Sequence, residues 1–234
     1  MFKDHKKKQL KTTWQKIWYF IWEDDSIWSW IVNIVLAFVL IKFIIYPGLG
    51  LLFGTSHPVV AVVSGSMEHK ITYNDKLKLN MCGKTYDEKI PVDFDVFWDE
   101  CGEYYRSYDI NKNDFKSFSM HNGFNTGDII VLFGRKTNKL EVGDIIVFRA
   151  NQPDPIIHRI VKVWTNEGKY HFQTKGDHNS ESISYEKVYE IDILEDRVIG
   201  KAVLRIPYLG YIKIWFIDLL RVLHLENSVG GLFN

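Results

Sequence analysis

Two hydroxyls, Ser64 and Ser66, stand at the end of a β-branched run, Val59-Val60-Ala61-Val62-Val63, with Gly65 between them. A serine hydroxyl attacks a carbonyl well only when a base takes its proton and donors hold the oxyanion that forms. Ser64-Gly65-Ser66-Met67-Glu68 supplies the hydroxyls, a flexible glycine and a set of backbone N–H groups. The base must come from elsewhere in the chain. Among 8 histidines, His158 stands out because it lies in a strand-like run, Pro155-Ile156-Ile157-His158-Arg159-Ile160-Val161. Asp177 follows the next strand-like run, in Thr174-Lys175-Gly176-Asp177-His178-Asn179. Serine, then histidine in one strand, then a carboxylate after the next is the content of a triad, and chain order alone leaves its geometry open. Each piece also has a plainly structural reading: a Ser/Gly turn, a histidine packed in a strand, a turn carboxylate.

The elements that must position these groups begin with an anchor. From Ile27 the chain reads IWSWIVNIVLAFVLIKFIIYPGLGLLFG, interrupted by Asn33 and Lys42. About twenty predominantly apolar residues suffice to cross hydrocarbon as a helix, and Lys42 can snorkel toward the interface. Pro47, Gly48 and Gly50 mark the expected end or bend of that helix. The long arm before the span and the length of the span favour a retained anchor over a cleaved leader. Lys3, Lys6, Lys7, Lys8, Lys11 and Lys16 precede it, so the positive-inside bias puts the N-terminus in the cytosol and everything after Gly54 on the outer face. Trp14, Ile17, Trp18 and Ile21 recur at helical spacing, which predicts an interfacial helix within residues 1–26. The anchor is read as residues 27–53, the exterior domain as 54–205, with an insertion at 71–125, and a tail as 206–234. A formal charge of +0 with 25% charged residues gives no global field for nucleic acid, while 15% aromatics, 8 of them Trp, suit a bilayer interface.

Beyond the anchor the pattern turns to short strands. Residues 128–133 and 144–148 are β-branched runs introduced by Gly-Asp; 156–163 and 169–174 follow, joined through Asn166-Glu167-Gly168, a hairpin turn; 198–205 adds another. This predicts a mainly β, antiparallel domain. Within the insertion, Phe94, Phe97, Trp98, Cys101, Tyr104, Tyr105 and Tyr108 form a helical stripe, either local core or a surface that dips into the bilayer. Cys82 and Cys101 could pair with each other or, with His121, hold a metal; spacing leaves both open. The charges Lys213, Asp218, Arg221 and His224 in the aromatic tail favour an amphipathic helix over a second span.

Taken in order, S-G-S-M-E, G-D-I-I-V-F, P-I-I-H-R-I, T-K-G-D-H-N, G-K-A and I-P-Y-L-G resemble the type I signal peptidases, in the archaeal and endoplasmic-reticulum branch where histidine replaces the bacterial catalytic lysine. The resemblance covers the anchor and about residues 59–210, apart from the insertion. It implies a signal-peptidase-like β domain tethered to the membrane, a serine endopeptidase that cleaves signal peptides after small residues. Ser66 matches the nucleophile, Ser64 the hydroxyl that assists the oxyanion hole beside the Ser66 backbone N–H, His158 the general base, and Asp177 the carboxylate that orients it. No cofactor or metal is implied. The expected partners are signal peptides of exported precursors, membrane lipid and the translocation machinery, with no nucleic acid; the expected location is the cell membrane or, in a eukaryote, the endoplasmic reticulum membrane, crossed once. Two departures stand out. The family branch often has a further acidic residue soon after G-D-N-N, where this chain offers Glu181 and Glu186 but no aspartate, and the insertion exceeds the family's compact connection. The competing readings are a membrane-tethered non-catalytic module that keeps the motif as a turn, and a serine–lysine peptidase, which the membrane span and His158 disfavour.

Overall fold

The computed structural model describes residues 12–215 apart from 75, 135, 186 and 213. The lysine cluster before residue 12, Glu186, Lys213 and the tail beyond 215 lie outside the described residues. The chain forms two compact units, residues 1–52 and 53–234.

In the first unit, α1 (Thr13–Trp22) starts at a capping box in which Thr12 and Gln15 satisfy each other's backbone N–H groups. Ser26 caps α2 (Ile27–Leu40) by accepting from the Ser29 N–H. Asn33, the polar residue inside the apolar run, donates its side-chain amide to the Ile21 carbonyl at 2.8 Å, and the Ser29 hydroxyl donates to Phe20 O. The polar interruptions of the span thus complete the exposed carbonyls at the end of α1.

The helix does not end at Pro47. It continues as α3 (Tyr46–Phe53), giving one helical run, Ile27–Phe53, that is long and apolar enough to cross a bilayer. A proline removes an N–H and crowds the carbonyl four residues back. Here a π-helical stretch, Ile41–Ile45, lies just before it, with the Tyr46 N–H reaching back to Ile41 O. Widening the turn by one residue relieves the proline without breaking the helix.

Among the described residues the second unit is mainly β, with helices in the insertion, at short turns and at residues 211–212 and 214–215. Its strands are β1 (Val59–Ala61), β2 (Thr72–Tyr73), β3 (Leu79–Met81), β4 (Lys84–Tyr86), β5 (Ile129–Phe133), β6 (Ile145–Phe148), β7 (Ile156–Asn166), β8 (Lys169–Lys175), β9 (Ser184–Tyr185), β10 (Val188–Tyr189), β11 (Ile193–Leu194) and β12 (Val198–Ile206). Among the described residues the main sheet has the order β1-β5-β12-β6-β7-β8-β11, antiparallel throughout. β7 and β8 form the hairpin that the Asn166-Glu167-Gly168 signal predicts. Glu167 and Gly168 have φ of 50° and 77°, the paired positive values whose twist suits a two-residue hairpin.

The insertion builds its own core. It folds as a small sheet, β2-β3-β4, with two helices, α4 (Phe94–Arg106) and α5 (Lys112–Ser117). Asp93 caps α4 by accepting from the Val96 N–H at 2.9 Å. Phe97, Trp98, Cys101 and Tyr105 of α4 are buried with Phe115, Ile71, Leu79 and Met81, so the aromatic stripe is local core. Val161 of β7 belongs to the same cluster, whereas its neighbour Ile160 packs in a different one with Ile146 and Phe172. Successive β7 side chains face opposite sides of the sheet. Cys82 and Cys101 are joined as a disulfide that ties the β3–β4 turn to α4. His121 therefore has no free thiolate to share a metal with, and its ring sits edge-on to Phe94.

Candidate active site

β1 ends at Ala61, and the chain turns through Ser64-Gly65-Ser66 before Met67 buries itself in the core with Ile130 and Leu132. Glu68 lies under this turn: its backbone N–H donates to Gly65 O at 3.0 Å, and its buried carboxylate accepts from the Thr126 N–H at 2.9 Å and pairs with Lys70 at 3.1 Å. The Ser66 carbonyl accepts from the His178 N–H at 2.8 Å. Ser66 is thus held from the 176–178 loop, and its hydroxyl stays half-exposed.

His158 sits in β7 opposite Ile146 of β6. Its Nε2 lies 2.9 Å from the Ser66 hydroxyl, and the Ser64 hydroxyl lies 3.3 Å from the Ser66 hydroxyl. The other ring nitrogen, Nδ1, makes a short hydrogen bond to the Glu190 carboxylate. Glu190 is fully buried and firmly held: Oε1 accepts from the Ile183 N–H at 2.7 Å and Oε2 from the Thr174 hydroxyl at 3.2 Å. Its backbone also bonds Thr174 N and Ile183 O, so the whole residue is pinned to β8 and to the start of β9.

Asp177, expected on His158, sits elsewhere, and this corrects the sequence reading. Both ring nitrogens of His158 are occupied by Ser66 and Glu190. Asp177 faces Arg159, the next residue of β7, which points to the opposite side of the sheet. The Arg159 Nε donates to Asp177 Oδ1 at 3.0 Å and an Nη2 donor to Oδ2 at 2.8 Å. Tyr105 donates to Oδ1 at 2.8 Å, and His69 Nε2 lies 3.0 Å from Oδ2. The remaining Arg159 donors reach the carbonyls of Ser119, Gly143 and Met120. Every N–H of the guanidinium is therefore matched. Burial alone would raise the Asp177 pKa, but the guanidinium and His69 override it and hold the carboxyl well below the usual carboxylate range. Burial, reinforced by the Asp177 charge, pushes the Tyr105 phenol well above its ordinary value, and burial lowers His69 against the pull of Asp177. With Nε2 donating to Asp177, the buried His69 Nδ1 has no partner among the described residues.

Among the described residues Lys175 is the other buried cation. Its Nζ donates to the carbonyls of Gly176 and Asp177 at 3.1 and 3.2 Å and lies 4.7 Å from the Tyr105 ring centre. Burial brings its pKa down to about 8. Its bonds tie it to the loop, and Ser66 has His158 as its partner.

Gly176 explains how closely these parts approach. A Cβ there would lie 2.7 Å from His158 Nε2, 2.7 Å from the Asn179 amide nitrogen and 2.8 Å from Ser66 O. Only a residue without a side chain lets the loop pass the histidine and still bond the serine.

The line Ser66–His158–Glu190 can move a proton from hydroxyl to imidazole while a carboxylate fixes the tautomer and stabilises the resulting imidazolium. Sequence reasoning missed Glu190. It lies 32 residues past His158 and outside the G-D-x-N stretch, where only Glu181 and Glu186 drew attention. Its one signal is an acidic residue directly after an apolar pair that folds back on the preceding strand.

A curled antiparallel sheet carrying a serine, a histidine and a buried carboxylate in hydrogen-bonded series has the equipment of an acyl-transfer hydrolase. Curated relatives carry the name signal peptidase complex catalytic subunit. That of Schizosaccharomyces pombe is 27% identical over 177 residues, 74% of either chain. That of Pyricularia oryzae is 36% identical over 101 residues, 42% of this chain and 59% of the relative, and that of Lachancea thermotolerans 37% over 107 residues, 42% and 61%. The chain thus spans less than two thirds of the length of the latter two. No family model matches the chain. By these relatives the chain is similar to the catalytic subunits of signal peptidase complexes.

Proposed function

We propose that the chain is a membrane-anchored serine endopeptidase that removes signal peptides from exported precursors, cleaving after small residues. The observation that carries this reading is the Ser66 hydroxyl at 2.9 Å from His158 Nε2, with Glu190 on the far nitrogen. In the first half-reaction, His158 takes the Ser66 proton as Oγ attacks the scissile carbonyl. The oxyanion is met by the Ser66 backbone N–H and the Ser64 hydroxyl. His158 then gives its proton to the departing amine, the start of the mature chain. In the second half-reaction, a water gives a proton to His158 as its oxygen attacks the acyl carbon. His158 returns that proton to Ser66 Oγ as the ester bond breaks and the signal peptide leaves with a new carboxyl group. Glu190 holds Nδ1–H throughout; Asp177 positions the loop that bonds the Ser66 carbonyl.

Ile27–Phe53 is read as the anchor, with the N-terminus cytosolic and residues 54–205 exterior, where the Cys82–Cys101 disulfide is at home. The membrane is that of the endoplasmic reticulum, and the chain works beside other subunits of a signal peptidase complex, as the relatives' name describes for them. The test is cleavage of a precursor by the detergent-purified full chain. Release of the signal peptide at one bond by the parent and none by a folded Ser66→Ala variant is the expected result. Equal cleavage by both would end the serine mechanism.

A further inference from the structure

An open cleft of about 380 Å³ lies between the insertion and the chain that follows Asp177. Pockets that hold small ligands run from roughly 300 to 1,000 Å³. One wall is Asn80 and Gly83 of the β3–β4 hairpin, and the other is formed by His178, Asn179, Glu181 and Tyr185. The lining is rich in hydroxyl and amide groups, unlike the apolar clusters of the core.

Two residues of its wall, Asn179 and His178, also border the reacting groups. Asn179, in its wall, has its amide nitrogen as close to the Cβ position of Gly176 as His158 Nε2 is, 2.7 Å in each case. His178, also in its wall, donates its N–H to the Ser66 carbonyl. Chemistry fixes which end of a substrate lies here. The imidazole that received the serine proton must deliver it to the leaving amine, so the departing chain runs past Nε2. The Ser64 hydroxyl, the proposed oxyanion donor, belongs to the strand-end turn that carries Ser66.

The charge of the cleft is also defined. His178 faces inward, Nδ1 at 3.1 Å from the Glu68 carbonyl and Nε2 at 3.3 Å from the Thr72 hydroxyl. Burial lowers its pKa and keeps it neutral near pH 7. Glu181 is exposed on the wall and is the acidic group of the lining.

Building on the peptidase reading, we infer that this cleft binds the segment of the precursor immediately after the scissile bond, in extended form, and favours a basic side chain there. The insertion, which supplies Asn80 and Gly83, then forms one wall of a substrate subsite.

Two precursor peptides that differ only in Lys or Glu at the second and third positions after the bond provide the test, read as kcat/KM with the detergent-purified full chain. The parent should favour Lys by about two- to fivefold, the range of one exposed ion pair. Glu181→Lys should abolish or invert that preference. Ser184→Trp, at an exposed lining position, should lower kcat/KM for both long peptides but leave a peptide with one residue after the bond unaffected. Unfolding midpoints near the parent's establish that each variant is folded. A parent that cleaves while the Lys/Glu ratio and the length dependence stay the same in both variants overturns the subsite and leaves the peptidase reading intact. A parent that cleaves neither peptide defeats both.

Discussion

At His158 the two ring nitrogens bond Ser66 and Glu190, partners that come from 92 residues upstream and 32 residues downstream. Ser66→Ala should abolish cleavage, whereas Ser64→Ala should leave activity reduced by about 10²–10³, the usual cost of one oxyanion donor. Comparable residual rates in folded, inserted proteins would contradict these separate roles. The two carboxylates should also separate. Glu190→Gln should lower kcat by up to about 10⁴ with KM little changed, because the tautomer is no longer fixed. Asp177→Asn should instead lower the unfolding free energy by about 3–5 kcal/mol, since it leaves the Arg159 guanidinium buried without its counter-charge. A stable Asp177→Asn with the larger kcat loss would restore Asp177 to the proton path. Ser66 and His158 were legible because each sits at the end or middle of a β-branched run. Glu190 was not, since only the pairing of β8 with β11 and the short β9–β10 hairpin carry it back to the histidine.

Among the elements, strand positions were the most readable, because Gly-Asp turns punctuate apolar runs and the hairpin turn needs its positive φ values. The insertion was readable only in part. The α4 stripe announces a helix with a buried face, but β2, β3 and β4 are two or three residues each and carry no periodicity to find. How the helix passes Pro47 was hidden too, because the compensation is a backbone shift one turn earlier. The loop between β8 and β9 yields a sharp prediction. Gly176→Ala should cost at least about 10² in kcat, the scale of a 1 Å misplacement at a reacting centre. The added methyl would displace His158 Nε2, Asn179 or the Ser66 carbonyl. Near-parent turnover in that variant would show that the loop gives way cheaply.

At the scale of the molecule, two buried cations share one buried carboxylate's surroundings against the insertion: Arg159 and Lys175 beside Asp177, next to Tyr105. Lys175 sets a pH signature. An ammonium titrates near ~10.4 in an unfolded chain, and burial brings Lys175 to about 8. Between those values the unfolded state binds the extra proton, so stability contributed by this residue rises as pH climbs from about 8 toward ~10.4, by about 3 kcal/mol in all. Denaturant unfolding of the full chain in detergent should show this rise in the parent and lose it in Lys175→Met. Parallel profiles for the two proteins would mean that the amine stays charged when buried.

The Cys82–Cys101 bond has a consequence for when the chain becomes competent. It closes a loop with a sequence separation of 19, so reduction should cost about 3 kcal/mol of stability. That is measurable as a shift in denaturant midpoint with and without a thiol reductant. The half-cystine at 82 also gives its N–H to the His178 carbonyl at 2.9 Å, while the His178 N–H holds Ser66. Oxidation therefore tightens the same short segment that holds the Ser66 carbonyl. A newly made chain whose thiols are still reduced carries a looser seat for Ser66, and on the proposed topology the cross-link acts as a passport stamp, issued on the oxidising side of the membrane.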